Sequence, residues 1–492
     1  MRFGVANDFD IVGDKVFGRK PRLNVVLGHP RGEISEENGK AHLVICFLLR
    51  EGSVYEAHLA RLLLPEASSI LTRGAQTRKH QIPGNPLLRK GYLDHLMLVN
   101  DHLSQRISAA RAAALATLEL VAEGAYASDT LRDRTAGLES RDAALAGQIV
   151  FGSLRFQAQL DHLIRLYSGK SVSALDRPVV LALRMAIYQL RYLERIPAHA
   201  AVHEAVEMVK IRRRPATGFV NAVLRKVNRQ PVTWPSEAVE FSCPEWLLAR
   251  WKTHFGEKEA RAIAVAALEQ PTPHIRIPPG RSVPEGITLE ATDVAGCYRV
   301  LSDVPLGIRL HDIGSQAIVP ALDLQPGHTY LDVCAAPGNK TLQALETALS
   351  LAVACDVSPT RIMEIPPVCY RVVLDATQPL PLTRKFDRIL VDAPCSGTGT
   401  LGRNPEIKWR VKPQDFERFR VRQKQILRQT IPHIAPGGKL LYATCSLEEE
   451  ENERVIEAAL HEHPDLEVER DFWRLPGRDP GDGFFAAVLA FK

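Results

Sequence analysis

The chain has 492 residues, 45% hydrophobic and 24% charged, with a formal net charge of +5. That length suits about two to four domains with a large buried core, and the composition is that of a soluble globular protein, not of a disordered or fibrous one. Eight cysteines without a C-x-x-C pair argue against a zinc ribbon or a disulfide framework, no apolar run approaches the roughly 18 residues of a membrane helix, and Met1 to Asp10 carries no secretory signal pattern, so a cytoplasmic protein without a metal centre is expected.

Residues 1–104 carry no chemical motif. Ala41–Leu49 suits a short strand and Leu59–Leu64 a helix, interrupted by Pro-, Gly- and Arg-rich pieces such as Thr72–Lys90. The segment is expected to be an extension, partly disordered, or translated sequence upstream of the true start. From Ser104 the apolar spacing turns helical. Helices are predicted over Ala109–Glu123, Arg141–Leu166, Asp176–Leu193 with its early Pro178, His199–Lys210 and Thr217–Val227, a bundle of about five. From Met208 to Arg229 there are seven Lys/Arg and no acid. Such a run is commonly a solvated face, and it is also what contact with a phosphate backbone requires.

Gln230–Cys243 is proline-rich and predicted as a linker. Glu245–Glu269 suits one or two helices with Trp246, Trp251 and Phe255, and Pro271–Val304 contains short strands at His274–Ile277 and Cys297–Leu301, together a small α+β module. Residues 305–492 alternate strand and helix. Strands are predicted at Thr329–Cys334, Leu351–Asp356, Tyr370–Asp375, Phe386–Val391 and Lys439–Ala443, with a terminal antiparallel pair at Leu466–Phe472 and Phe484–Phe491. Helices are predicted at Gly314–Leu322, Lys340–Leu349, Pro413–Ile434 and Glu449–His463. This alternation implies a doubly wound α/β sheet.

Three strand-to-loop junctions carry the chemistry. The first, Asp332 to Thr341, places small residues and a helix start after a strand, where a ligand can approach the backbone and a carboxylate can meet free N–H groups. It is neither a Walker A loop nor G-x-G-x-x-G, which argues against a triphosphate and against NAD. Asp356 and Asp375 close the next two predicted strands, placed for ribose hydroxyls and an adenine amino group. Each alone is commonly a solvated strand end; the succession fits an adenosyl cofactor with an amino-acid tail, S-adenosylmethionine. The second junction, Val391 to Gly399, presents Asp392 and Cys395, and the third, Tyr442 to Ser446, presents Cys445. A lone cysteine is most often inert and buried. Methylating carbon 5 of a pyrimidine, however, needs a thiolate to add at carbon 6 first. Asp392 could hold the base edge, and a cation such as Lys340 could lower the thiol's pKa. Either thiol could be the nucleophile on this reasoning.

These stretches resemble the Sun/Nop2-type RNA (cytosine-5)-methyltransferases: Asp332–Thr341, Asp392–Gly399, Thr444–Ser446, Asn404–Glu406 with Lys408 and Trp409, His311–Gln316, and Asp482–Phe485. Residues 105–229 resemble the NusB-type RNA-binding domain through Arg141–Asp142, Gly152, His203–Val206 and Gly218–Arg225. The combination is similar to bacterial 16S rRNA 5-methylcytosine methyltransferases of the RsmB type. The resemblance implies a Rossmann-like methyltransferase sheet preceded by an all-α NusB-like bundle. The implied division is an uncharacterised extension over 1–104, the NusB-like domain over 105–230, a linker and substrate-recognition module over 231–304, and the methyltransferase domain over 305–492. It also implies S-adenosylmethionine as cofactor, RNA (16S rRNA, before or during small-subunit assembly) as partner, and a monomer. By resemblance Cys445 is the nucleophile and Cys395 assists proton removal or product release. The cofactor loop maps to Cys334, Ala335, Ala336, Pro337, Gly338, Asn339 and Lys340, with Asp356, Asp375 and Asp392 as further contacts. Two departures stand out: Asn339 replaces a usual glycine, and Ile365-Pro366-Pro367 replaces a helix between Asp356 and Asp375. Gly402–Gln425, with eight Lys/Arg against three acids plus Trp409 and Phe416, is either a solvated helix face or an RNA-backbone groove with a stacking residue. The competing readings are a tRNA substrate, DNA methylation, and an RNA-binding or antitermination regulator with a weakened catalytic domain.

Overall fold

The computed structural model describes residues 106–492 except residue 306, and the backbone of two strands, β1 (Leu23–Val25) and β2 (Cys46–Arg50). The expected strand over Ala41–Leu49 overlaps β2; the helix expected over Leu59–Leu64 lies outside the described residues. Seven helices form the first layer: Ala109–Ala122, Ala127–Thr135, Ser140–Arg155, Gln157–Ser168, Arg177–Tyr192, Ala198–Arg212 and Thr217–Leu224. Two features account for the excess over about five. The predicted Arg141–Leu166 helix breaks at Phe156, whose ring stacks on Tyr192 at 4.6 Å. The helix Ala127–Thr135 buries only Ala127, so it leaves no apolar periodicity to read. Leu115, Ile149, Leu160, Leu163 and Ile187 fill the bundle core. Much of the basic run is compensated: Lys210 pairs with Glu207, Arg212 with Glu119 and Arg213 with Asp176.

The stretch predicted as a linker contains a short helix, Glu237–Glu240, and is anchored to the bundle by the Ser242 hydroxyl, which accepts from Ala158 N–H at 2.9 Å. Two helices, Glu245–Phe255 and Glu257–Ala266, follow, turning at Gly256 in the left-handed region (φ +87°). A three-stranded antiparallel sheet, order β3-β5-β4, comes next, from β3 (His274–Arg276), β4 (Leu289–Ala291) and β5 (Cys297–Val300).

The large sheet runs β1-β2-β8-β7-β6-β9-β10-β12-β11. Its parallel centre is β6 (Thr329–Asp332), β7 (Leu351–Asp356), β8 (Tyr370–Val373), β9 (Phe386–Asp392) and β10 (Ile434–Thr444); β12 (Phe484–Phe491) and β11 (Leu466–Arg474) join antiparallel. β7 and β9 flank β6, so the strand order reverses there, which is where open α/β sheets bind ligands. β7 is buried along its whole length, as a strand covered on both faces must be. β8 ends at Val373, two residues before Asp375. Among the described residues no helix is long and apolar enough to cross a membrane.

The bundle meets the sheet domain through Glu406–Arg410. Lys408 Nζ donates to the Arg155 carbonyl at 2.9 Å, Trp409 Nε1 to the Leu154 carbonyl at 2.8 Å, and Arg410 to the Ala125 carbonyl at 2.6 Å. Arg155 returns two bonds to the Gly402 carbonyl. This removes the stacking residue and one cation from the reading of 402–425 as an RNA groove: Lys408 is buried, Trp409 belongs to the seam, and Phe416 is buried against Trp246 and Arg250, while Lys412, Arg418 and Arg422 stay exposed.

Two outcomes follow from the packing. A methyl group on Gly152 would fall inside the Tyr188 ring, so Gly152→Ala should destabilise the protein by about 1–3 kcal/mol in denaturant unfolding. Burial pulls Lys408 from its ordinary 10.5 to about 8. Between those values the folded protein is neutral at this site while the unfolded chain still binds the proton, so stability from this position rises with pH across that window. Wild type should therefore gain on Lys408→Met by up to roughly 3 kcal/mol between neutral pH and the upper end of that window, read by the same unfolding assay.

Candidate active site

Strand ends bring the predicted residues together. Asp332 closes β6 and is fully buried. Its carboxylate accepts from Thr341 Oγ1 at 2.7 Å and from the Cys334 N–H at 3.3 Å, which clasps both ends of the Val333–Thr341 loop. Burial pushes its pKa up to about 7. Within the loop, Gly338 has φ +101°, and a Cβ there would collide with Ile365. The Ile365 turn thus occupies the place of the missing helix, preceded by a 3-10 turn at Arg361–Glu364. Arg361 and Arg309 donate to the loop carbonyls of Ala336 and Pro337 at 3.0 and 3.2 Å. Asn339 replaces the usual glycine without strain: it opens the helix Asn339–Ala344 and its side chain donates to the Leu310 carbonyl at 3.2 Å.

Asp356, at the end of β7, is buried and accepts from the N–H groups of Ala336 at 3.1 Å and Ser358 at 2.8 Å. It therefore joins the first junction directly. Asp375 differs: it is exposed, and its Oδ1 accepts from the N–H and hydroxyl of Thr377, at 3.0 and 2.8 Å, in its own turn.

The thiols meet. Cys395 Sγ and Cys445 Sγ lie 3.4 Å apart, although 50 residues separate them. The hydrogen bond to Cys445, and then burial, push the Cys395 thiol well above its ordinary range, so Cys395 keeps its proton in the resting site. Lys340 reaches the same place from the first junction. Its Nζ is 2.7 Å from Asp392 Oδ2 and 4.8 Å from the centre of the Phe484 ring. Burial alone would favour neutral Lys340; the Asp392 carboxylate outweighs it and keeps the ammonium charged, within electrostatic reach of Cys445. Cys334 is a poor nucleophile, because burial raises its pKa strongly.

Sequence reasoning missed the carboxylate that holds the two cysteine loops together. Glu451 is completely buried. It accepts from Ser396 N–H at 2.8 Å, Ser446 Oγ at 2.6 Å and Gln423 Nε2 at 3.1 Å. The Ser396 and Ser446 hydroxyls lie 3.1 Å apart, so each residue following a thiol is tied to the other. The run Glu448 to Glu451 looks like a solvated helix start, and only the Ser after each Cys could have signalled otherwise. Glu451→Ala would strand three buried donors and should cost about 2–3 kcal/mol in unfolding experiments, with a matching loss of site geometry.

Residues 319–490 match the family described as 16S rRNA methyltransferase RsmB/F, and residues 108–229 match the NusB family. The chain is similar to ribosomal RNA small subunit methyltransferase B of Cronobacter sakazakii, 34% identical over 421 residues, covering 77% of this chain and 98% of that one. It is also similar to a probable ribosomal RNA small subunit methyltransferase B of Bacillus subtilis, 32% identical over 372 residues, covering 67% and 82%. The fold resembles the solved structure of PH0851, with a TM-score of 0.65 at 22% identity, covering 77% of this chain and 97% of that one. With that identity and coverage, and strand ends arranged as described, the chain belongs to the ribosomal RNA small subunit methyltransferase B family, whose members depend on S-adenosylmethionine.

Proposed function

We propose that this protein methylates carbon 5 of a cytosine in 16S rRNA through a covalent adduct on Cys445. The observation that carries this reading is the thiol pair, 3.4 Å apart, beside the Lys340–Asp392 ion pair. One inert buried cysteine is commonplace; two thiols held together at neighbouring strand ends next to a fixed cation suit addition to and elimination from a pyrimidine ring.

The cofactor site is the Cys334–Lys340 loop with Asp356. The small residues of this loop fit an adenosyl group with an amino-acid tail. Asp375 is the weakest candidate contact, since it lies two residues past the end of β8, is exposed, and does not touch the Cys334–Lys340 loop as Asp356 does. S-adenosylmethionine, when bound, supplies an electrophilic methyl group. The protein's residues do the rest. Lys340 favours the Cys445 thiolate, which adds to carbon 6 and makes carbon 5 nucleophilic. Asp392, half-exposed at the end of β9, accepts from the exocyclic amine of the base. Cys395, protonated in the resting site, first releases that proton to solvent; its thiolate then takes the carbon-5 proton, and the electrons of that C–H bond expel Cys445 from carbon 6 as a thiolate. The target cytosine must be unpaired or flipped to enter, which suits rRNA before or during small-subunit assembly in the cytoplasm. Residues 105–230 serve as an RNA-binding module and 231–304 as a substrate-recognition module for the transfer domain at 305–492.

The test is methyl transfer from labelled S-adenosylmethionine to unmodified 16S rRNA. Cys445→Ala should abolish turnover with no adduct, a loss of at least about a thousandfold. Cys395→Ala should accumulate a covalent protein–RNA species resolved slowly on denaturing gels. Labelling of tRNA alone would change the substrate; absence of transfer together with absence of cofactor binding would leave an RNA-binding regulator.

A further inference from the structure

Beside the reacting loop lies a cavity of about 380 Å³, lined by neither thiol nor by the Cys334–Lys340 loop. Thr398, Gly399 and Gly402 form one side of it, on the loop that carries Cys395; Thr272 and His274 form another, and the Gly477–Asp482 turn a third. Its volume is in the range of small-ligand sites, ~300–1,000 Å³. Thr398 follows Cys395 by three residues, at most about 10 Å of chain. Gly399 also binds the reacting centre directly, since its N–H donates to the Cys445 carbonyl at 2.9 Å and its carbonyl accepts from Gly483 at 2.8 Å.

The lining has an unusual charge balance. Arg403 is spent on Asp312 and Asp482, and Arg478 on Asp479. Two arginines meet three carboxylates here, so the interior holds no spare positive charge for an anion and offers hydrogen-bonding edges instead. At the same time His274 is 4% exposed, and its Nδ1 has no hydrogen-bond partner among the described residues. Burial lowers its pKa, so the ring is neutral at physiological pH. An unpaired polar atom in such a place costs stability until a partner arrives. A flat, neutral, hydrogen-bonding ring matches these walls better than a phosphate or a carboxylate does. Phosphate chemistry is found at the margin instead: the side chains of Arg299 and Arg478 are 46% and 48% exposed, in surface pairs with Glu290 and Asp479 that are readily exchanged.

We propose that this cavity receives the base of a nucleotide adjoining the target cytosine, with His274 reading its edge and Arg299 and Arg478 meeting its phosphates. The proposal rests on the RNA methyltransferase reading. It makes the β3–β5 module a reader of sequence context and not only a spacer.

The test compares full-length wild type with Thr272→Trp, which sets an indole into the exposed rim, Thr272→Ser, and His274→Ala, using unmodified 16S rRNA transcripts. Thr272→Trp and His274→Ala should raise the KM for RNA roughly tenfold, with kcat and S-adenosylmethionine binding by calorimetry unchanged and Thr272→Ser like wild type. After mapping of the methylated cytosine, transcripts with altered neighbouring bases should be poorer substrates for wild type and less discriminated by His274→Ala. An unchanged KM for Thr272→Trp, or unchanged base discrimination by His274→Ala, overturns the proposal while leaving the methyltransferase reading intact. A wild type that binds the cofactor and methylates no RNA overturns both.

Discussion

The reacting centre depends on the parallel register of β9 against β10. Val391 lies opposite Tyr442 and Asp392 opposite Ala443, so the two chains leave the sheet side by side and in the same direction. Each carries a cysteine within three residues of its end, and the sheet alone brings the sulfurs to one place. What it cannot do is hold two loops in contact once they leave the hydrogen-bonded ladder. Glu451 does this, and its own position is held by the strand it serves: Tyr442, near the end of β10, donates to the Glu451 carbonyl at 2.6 Å. Core packing and site geometry are thereby one structure, because the phenol that supports Glu451 is itself fully buried.

The same economy governs charge. Four carboxylates lie at or near the ends of the central strands, and each has a different task because each has different neighbours. Asp332 is sealed from solvent and closes a loop. Asp356 binds backbone N–H groups across two junctions. Asp392, less buried, faces a lysine. Asp375 lies beyond its strand and organises its own turn. A low dielectric makes the Lys340–Asp392 pair effective, and it would make either charge costly alone. Phe484 contributes its ring face on the remaining side of the ammonium, which links the C-terminal strand to the chemistry.

Much of this was legible in the sequence, for physical reasons. Strands buried on both faces leave continuous apolar runs, and β7, β9 and β12 coincide with or fall within a residue of the predicted limits. Loops that must admit a ligand need Gly, Ala and Ser, so the junctions announced themselves. Less legible was anything set by contacts distant in the chain. The charges of 402–425 could be counted, but no local pattern tells that Lys408 is buried 253 residues away from its acceptor. Phe416 has the look of a stacking platform because an aromatic among arginines reads the same on either side of a helix. Glu451 hid among neighbouring glutamates, and the break at Phe156 hid within an apolar repeat that runs on past it.

The seam between the helical bundle and the sheet domain has one further property. Every cross-seam hydrogen bond described here has a main-chain group on one side: the carbonyls of Ala125, Leu154, Arg155 and Gly402 accept, and the Ala127 N–H donates to Glu406 at 3.0 Å. Main-chain groups persist through almost any substitution, whereas the side chains of Glu406, Lys408, Trp409 and Arg410 do not. The recognition is therefore asymmetric. Drift at Ala125 or Leu154 can change packing yet cannot delete the acceptor, while drift at Lys408 or Trp409 removes a bond outright. Apart from Arg155, whose side chain supplies the two bonds to Gly402, the two halves need not co-vary residue for residue at these bonds, and a bundle of different surface sequence could replace this one provided it kept that arginine and its backbone followed the same path.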